Sequence, residues 1–205
     1  MWMFILLGVL FSLIGYFFNK GLVKGLDFVR KQKKRLFYFY ALAGIMLLAA
    51  IGILDPSMIG GGYQTIRMVL DQPFSLTFLL ILFLGRFVLT LFSYSLGVPG
   101  GIFAPLLAIG VVAGMLYGNL MHHIFIDQSI SPGIFAVAGM SGIFAGTVRA
   151  PLTGLVLSME LTANFELILP IMVTSITAAV VTAFIGNQPI YTTLLKRTLE
   201  NKDNS

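Results

Sequence analysis

The sequence predicts an all-α integral membrane protein in which tilted, broken and half-spanning helices stand beside ordinary spans. Three observations carry that expectation. Of its 205 residues, 58% are hydrophobic and 10% charged, and the mean hydropathy of +0.95 lies outside the range of soluble globular domains. The apolar runs do not alternate: Phe78-Leu79-Leu80-Ile81-Leu82-Phe83-Leu84 is apolar throughout. A membrane barrel needs alternation, so helices are left as the structures that satisfy their own backbone in hydrocarbon. Glycine and proline clusters then cut the runs into pieces, some shorter than the about 20 residues an upright span requires.

The elements follow in order. Met1 to about Phe18 enters the bilayer, and its helical pattern continues through Leu22 and Phe28 into Arg30-Lys31-Gln32-Lys33-Lys34-Arg35. It lacks the basic start and small-residue cleavage site of a secretory signal, so the chain is expected to begin inside a membrane helix and to be truncated ahead of it. Leu36 to Leu54 is a second span, ended by Asp55-Pro56. Gly60-Gly61-Gly62 breaks the chain before a short amphipathic piece from Tyr63 to Leu70, and Phe74 to Tyr94 is a third span interrupted by Arg86. Gly97-Val98-Pro99-Gly100-Gly101 then stops one apolar stretch before another, which predicts irregular backbone at membrane depth and a helix from about Phe103 to His122. Beyond the polar link through Asp127 and Ser131-Pro132 lie two short segments, Gly133 to Thr147 and Ala150 to Thr162, divided at Arg149. Leu167 to Ile185 can span, Gly186-Asn187-Gln188-Pro189 breaks it, and Ile190 to Glu200 is a last amphipathic helix. Residues 1–200 are read as one membrane domain and 201–205 as a polar tail.

The formal net charge of +5 is concentrated between Lys20 and Arg35 and around Lys196, Arg197 and Lys202. That is the pattern of cytoplasmic edges, with Asp55, Asp71, Asp127 and Glu166 in links that go outside. A nucleic-acid surface would interleave basic residues with exposed aromatics on a soluble domain, and none is expected. The absence of cysteine excludes disulfides, thiolate metal sites and cysteine nucleophiles. Adjacent His122 and His123 point to different helix faces and lack further ligands at a suitable spacing, so no metal is expected. Ser141, Ser158 and Ser175 have no histidine placed to activate them, which counts against an intramembrane enzyme. Gly-Ile-Phe-Ala occurs at Gly101, Gly133 and Gly142, and in so biased a sequence coincidence accounts for the repetition.

The helix breaks carry the chemistry. A helix start presents free backbone N–H groups and the positive end of the dipole, which favour an anion. Pro99 and the paired glycines before Ile102 let the backbone turn, and Pro105 suits a first helical turn because its missing N–H needs no partner there. The N–H groups of Ile102 and Phe103 are thus free to face a ligand. A second start follows Pro189, with the phenolic hydroxyl of Tyr191 at its head. Such kinks also serve helix packing, and both readings stay open on these residues alone.

Gly100-Gly101-Ile102-Phe103-Ala104-Pro105, the run Ser141 to Gly154 (SGIFAGTVRAPLTG), Glu160-Leu161-Thr162 and Gln188-Pro189-Ile190-Tyr191 together resemble the second half of bacterial CLC chloride channels and chloride/proton antiporters. The resemblance covers essentially the whole chain. It implies one half of an inverted-repeat transporter, in which chloride sits where helix starts meet near the midplane. It further implies that the backbone N–H groups of Ile102 and Phe103 and the hydroxyl of Tyr191 line the central chloride site, with chloride as ligand and no other cofactor. The family's serine in GSGIP, its gating glutamate in GREGP and the inward-facing glutamate of proton-coupled members have no counterpart here, and the N-terminal half of the subunit is expected to supply them. The implied partners are that half, the lipid bilayer and a second subunit, contacted through Ala150 to Thr162 and Leu167 to Ile185. The implied place is a bacterial inner membrane, crossed several times.

Arg86 and Arg149 would each cost about 2.5–3.5 kcal/mol at a helix centre and need partners or water. Structural roles are favoured for both over the alternative of attracting an anion, and Arg149 is placed where it could bond free carbonyls of the preceding half-helix. Glu160, near the end of its short helix, is read as a structural or dimer-contact residue rather than a proton carrier. The rival to transport is a membrane fragment that only associates with other subunits.

Overall fold

The computed structural model describes residues 1–32, 34–96, 101–125 and 131–203. Among them lie nine α-helices: α1 Trp2–Arg30, α2 Lys34–Leu54, α3 Tyr63–Asp71, α4 Leu76–Ser95, α5 Phe103–Phe125, α6 Pro132–Val148, α7 Pro151–Thr162, α8 Ile168–Phe184 and α9 Ile190–Asp203. Single 3-10 turns at Pro56–Met58 and Phe165–Leu167 precede α3 and α8. The break at Gly97 to Gly100 and the link through Asp127 lie outside the described residues. Helix α9 runs three residues into the stretch read as a tail.

Lengths set each helix's relation to a bilayer. At about 1.5 Å per residue, α1 measures about 44 Å against an apolar core of about 30 Å, so it must tilt or project. Helices α1, α4 and α5 and the stretch Phe165–Phe184 are long and apolar enough to cross. By the same measure α6, with 17 residues, and α7, with 12, fall short. Pro132 opens α6 behind a Ser131 cap and Pro151 opens α7, each at a position that needs no N–H partner. Arg149 between them takes φ 61°, so the chain turns in the left-handed region and begins α7 without continuing α6.

Helices α5 and α6 form the tightest pair. A Cβ on Gly110 would stand 2.6 Å from the Gly139 carbonyl oxygen, on Gly114 2.2 Å from that of Phe135, and on Gly118 2.9 Å from that of Pro132. Contact numbers rise on one helix as they fall on the other, so the two run antiparallel with their backbones touching. Small residues at one face are how helices associate where lipid supplies no hydrophobic drive. Helix α1 uses the same device with Gly8, Ser12, Gly15 and Asn19, spaced to share one face. Gly8 abuts Thr174 and Thr177 of α8, and a Cβ on Gly15 would lie 2.6 Å from the Gly146 carbonyl at the end of α6. The apolar core gathers on these contacts, with Phe11, Phe18, Ile109, Ile143, Ile171 and Ile190 in one cluster.

Arg86 is structural, as expected, and the structure supplies its partners. Only 2% exposed, it donates from Nε to the Ser57 carbonyl (2.7 Å) and from Nη2 to the Ile59 carbonyl (3.0 Å) and Thr65 Oγ1 (2.6 Å). It fastens the turn before α3 to the middle of α4. Arg149 departs from expectation. Its side chain is exposed and makes no hydrogen bond or ion pair among the described residues. Two amides bind the carbonyls it was expected to reach.

Candidate functional site

Helix α5 begins at Phe103, and the Ile102 carbonyl accepts its first intrahelical bond, from Leu106 N–H (3.1 Å). The N–H groups of Ile102, Phe103 and Ala104 therefore have no acceptor within the helix, and Pro105 has none to offer. The Ile102 side chain is buried in the main core cluster and anchors this start. Helix α9 repeats the arrangement: Pro189 accepts from Thr193 N–H (3.0 Å), which leaves Ile190, Tyr191 and Thr192 N–H without intrahelical partners. Ile190 is fully buried while Tyr191 is 44% exposed, so the first residue of α9 holds the helix and the second presents its ring.

Both starts lean on the C-terminal turns of α6. The Phe103 ring meets the Phe144 ring edge-on, with centroids 5.2 Å apart. Two and three residues along α6, the carbonyl oxygens of Gly146 and Thr147 accept from Asn187 Nδ2 (3.3 Å) and Asn19 Nδ2 (3.0 Å), respectively. Asn187 belongs to the link that delivers α9. Tyr94, at the end of α4, lines a cavity of about 420 Å³ with Gly101, Ala104 and Pro105 of the α5 start. Arg86 closes the same cavity, its Nε and Nη2 already committed to the turn before α3.

Chemically, each of the two helix starts offers N–H groups without intrahelical acceptors, and the second adds a phenol. Such donors favour an anion without supplying a full opposing charge, so they hold it loosely. The other sequence candidates lie elsewhere. His122 and His123 are exposed at the far end of α5, Glu160 is exposed on α7, and Asp127 is outside the described residues. Sequence reasoning missed Asn19, Asn187 and Tyr94. A buried asparagine in the apolar run of α1 was the one available signal, since an amide at that depth needs partners.

The family description "Voltage gated chloride channel" matches residues 1–183. The H(+)/Cl(-) exchange transporter ClcA of Vibrio campbellii is 42% identical over 208 residues, an alignment covering 98% of this chain and 44% of that protein. The ClcA of Salmonella agona is 38% identical, over 99% of this chain and 44% of its own length. A slow cyanobacterial Cl⁻/H⁺ antiporter superposes with a TM-score of 0.89 at 39% identity, over 98% of this chain and 48% of that one. A eukaryotic CLC transporter superposes with a TM-score of 0.77 at 27% identity, over 94% and 34%. The chain spans less than half the length of these relatives. The matched region takes in seven complete helices and most of α8, and the fold agrees with that of the antiporter from end to end, so the chain belongs to the voltage-gated chloride channel (CLC) family.

Proposed function

We propose that the chain builds the α5 and α9 side of a chloride site in a CLC-type channel or chloride/proton antiporter of a bacterial inner membrane. One observation carries the reading: the starts of α5 and α9, each with N–H groups that have no intrahelical acceptor, rest on the same end of α6. In this role Ile102 and Phe103 donate backbone N–H groups to the anion and Tyr191 donates its hydroxyl. The apolar outer faces of α7 and α8, with Leu152, Val156, Ile176 and Val180 exposed, fit a second subunit or lipid, and a homodimer through them accords with this reading. No GSGIP or GREGP occurs in these 205 residues, so transport draws on the rest of a subunit for the remaining ligands and the gating carboxylate.

The test is calorimetric chloride titration of the chain assembled with the remainder of a CLC subunit. A hydrogen bond to a charged group is worth about 1.5–3 kcal/mol, so Tyr191→Phe should weaken binding about tenfold to a hundredfold. Water entering from the cytoplasmic side can replace the lost donor and favours the lower figure. Phe103→Leu keeps its backbone N–H and should do less. Unchanged affinity in Tyr191→Phe, with a large loss in Phe103→Leu, overturns the assignment.

A further inference from the structure

The last carbonyls of a helix have no intrahelical partners and carry its negative dipole end. Helix α6 ends inside the molecule beside the proposed anion site, so its uncapped end would both cost stability and repel an anion. Two neutral amides cap it: Asn187 takes the Gly146 carbonyl and Asn19 takes that of Thr147. Asn19, 5% exposed, does more. Its Nδ2 also donates to the Gln188 carbonyl (3.1 Å) and to Asn187 Oδ1 (3.3 Å), the two residues that lead into α9. Its own Oδ1 is buried and has no partner among the described residues. The three acceptors, which share the two Nδ2 hydrogens, fix the amide's orientation, because a flip would set an oxygen against them. The side chain thus forgoes one hydrogen bond to direct every donor it has at α6 and α9.

The same face of α1 grips α9 further along. Arg197 donates to the Val23 carbonyl (3.2 Å) and pairs with Asp27. Positions 19, 23 and 27 fall on successive turns, so α1 fastens both the start and the end of the second turn of α9. We propose that Asn19 is a positioning residue: it neutralises the carbonyl end of α6 and holds the α9 start, hence Tyr191 and its neighbouring N–H groups, in the anion-facing position. This role rests on the chloride-site reading given above for α9.

The chain has no cysteine, so single reporters give a clean test in the 205-residue protein. Ile190→Cys places a thiol at the fully buried first residue of α9, and Ala113→Cys places one in the core of α5, 4% exposed. Thiol labelling in detergent is measured with each reporter, and rates are compared with the parent at the same pH. At pH 8, Asn19→Ala and Asn19→Asp should speed labelling at position 190 at least about tenfold and at position 113 less than about twofold. Carboxylates buried among carbonyl oxygens take up protons readily, and a protonated Asp regains one donor. Asn19→Asp should therefore return toward the parent rate at pH 5, a recovery that Asn19→Ala cannot show. Thr182→Val, which removes the buried bond to Ser12 between α8 and α1, should leave both reporters unchanged. Should the Asn19 variants fail to yield folded protein, Asn187→Ala, which loses the Gly146 contact alone of the α6 caps, should give a rise of a few fold at position 190. An unchanged rate at 190, or equal rises at 190 and 113, overturns the proposal. In the chain assembled with the remainder of a CLC subunit, chloride should slow labelling of the reporter at 190. If it does not while the Asn19 ratios hold, the chloride-site reading falls and the anchoring of α9 by Asn19 stands.

Discussion

Arg86 offers the sharpest test of how this fold handles a buried charge. Its three hydrogen bonds run to the Ser57 and Ile59 carbonyls and to Thr65 Oγ1. Adding three charge-assisted bonds would overstate its worth, because burying the guanidinium carries a desolvation cost of several kcal/mol. The structure shows what each substitution leaves behind. In Arg86→Met the charge is gone, and Thr65 Oγ1 still donates to the Ser57 carbonyl (2.9 Å), so the Ile59 carbonyl is the group left unpaired. One buried orphan costs about 1–3 kcal/mol. In Arg86→Lys the charge stays, but a single ammonium lacks the guanidinium fork and cannot serve the same set of acceptors. An under-bonded buried cation costs about 3–5 kcal/mol. Lysine should therefore be worse than methionine, the reverse of the order expected from similarity of charge. Denaturant titration of both variants in mixed micelles, followed by helical circular dichroism, gives the two free energies. If lysine equals the parent while methionine unfolds, the charge itself is what the fold requires, and the hydrogen-bond argument fails.

Further outcomes follow from the same structure. Gly114→Val should lose about 3 kcal/mol or more, because its Cβ would lie 2.2 Å from the Phe135 carbonyl, whereas Gly133→Ala meets only Ser131 Oγ at 3.6 Å and should be near neutral in the same titration. Arg149→Gly should stabilise by up to about 1 kcal/mol, since an exposed arginine at φ 61° bears the left-handed cost that glycine escapes; a loss would point to a partner for the guanidinium. The chain alone in liposomes should carry no chloride-selective current or flux, and selective flux above that of empty liposomes would show that these nine helices suffice.

The sequence made the helix starts legible because their causes are local. Proline and glycine act on their own few residues, so Phe103 and Ile190 were placed where α5 and α9 begin. The same holds for the short α6 and α7, whose boundaries are written in Ser131-Pro132 and Ala150-Pro151. Arg86 was legible in kind but not in its contacts, since its acceptors lie 21 to 29 residues away on a turn that gives no sign of facing α4. Arg149 was misplaced for a related reason. Its expected carbonyls at the end of α6 are taken by Asn187, 41 residues on, and Asn19, 128 residues back. No spacing rule connects an asparagine in one apolar helix with the end of another. Only the depth of that amide in an apolar run hinted that it had partners.

The glycine seam between α5 and α6 has a mechanical consequence. Side chains that interdigitate can change rotamer and let helices slide, but a seam where carbonyls press on α-carbons has no such slack. The two helices therefore behave as one beam, and the Phe103 end of α5 cannot shift without carrying the Phe144 end of α6 with it. Motion that alters the candidate site is thrown onto its other wall, where α9 is held to α1 and to the end of α6 by hydrogen bonds that can be remade. The fold divides into a fixed jaw and a hinged one, and the carbonyl row along α5 and α6 marks the fixed one.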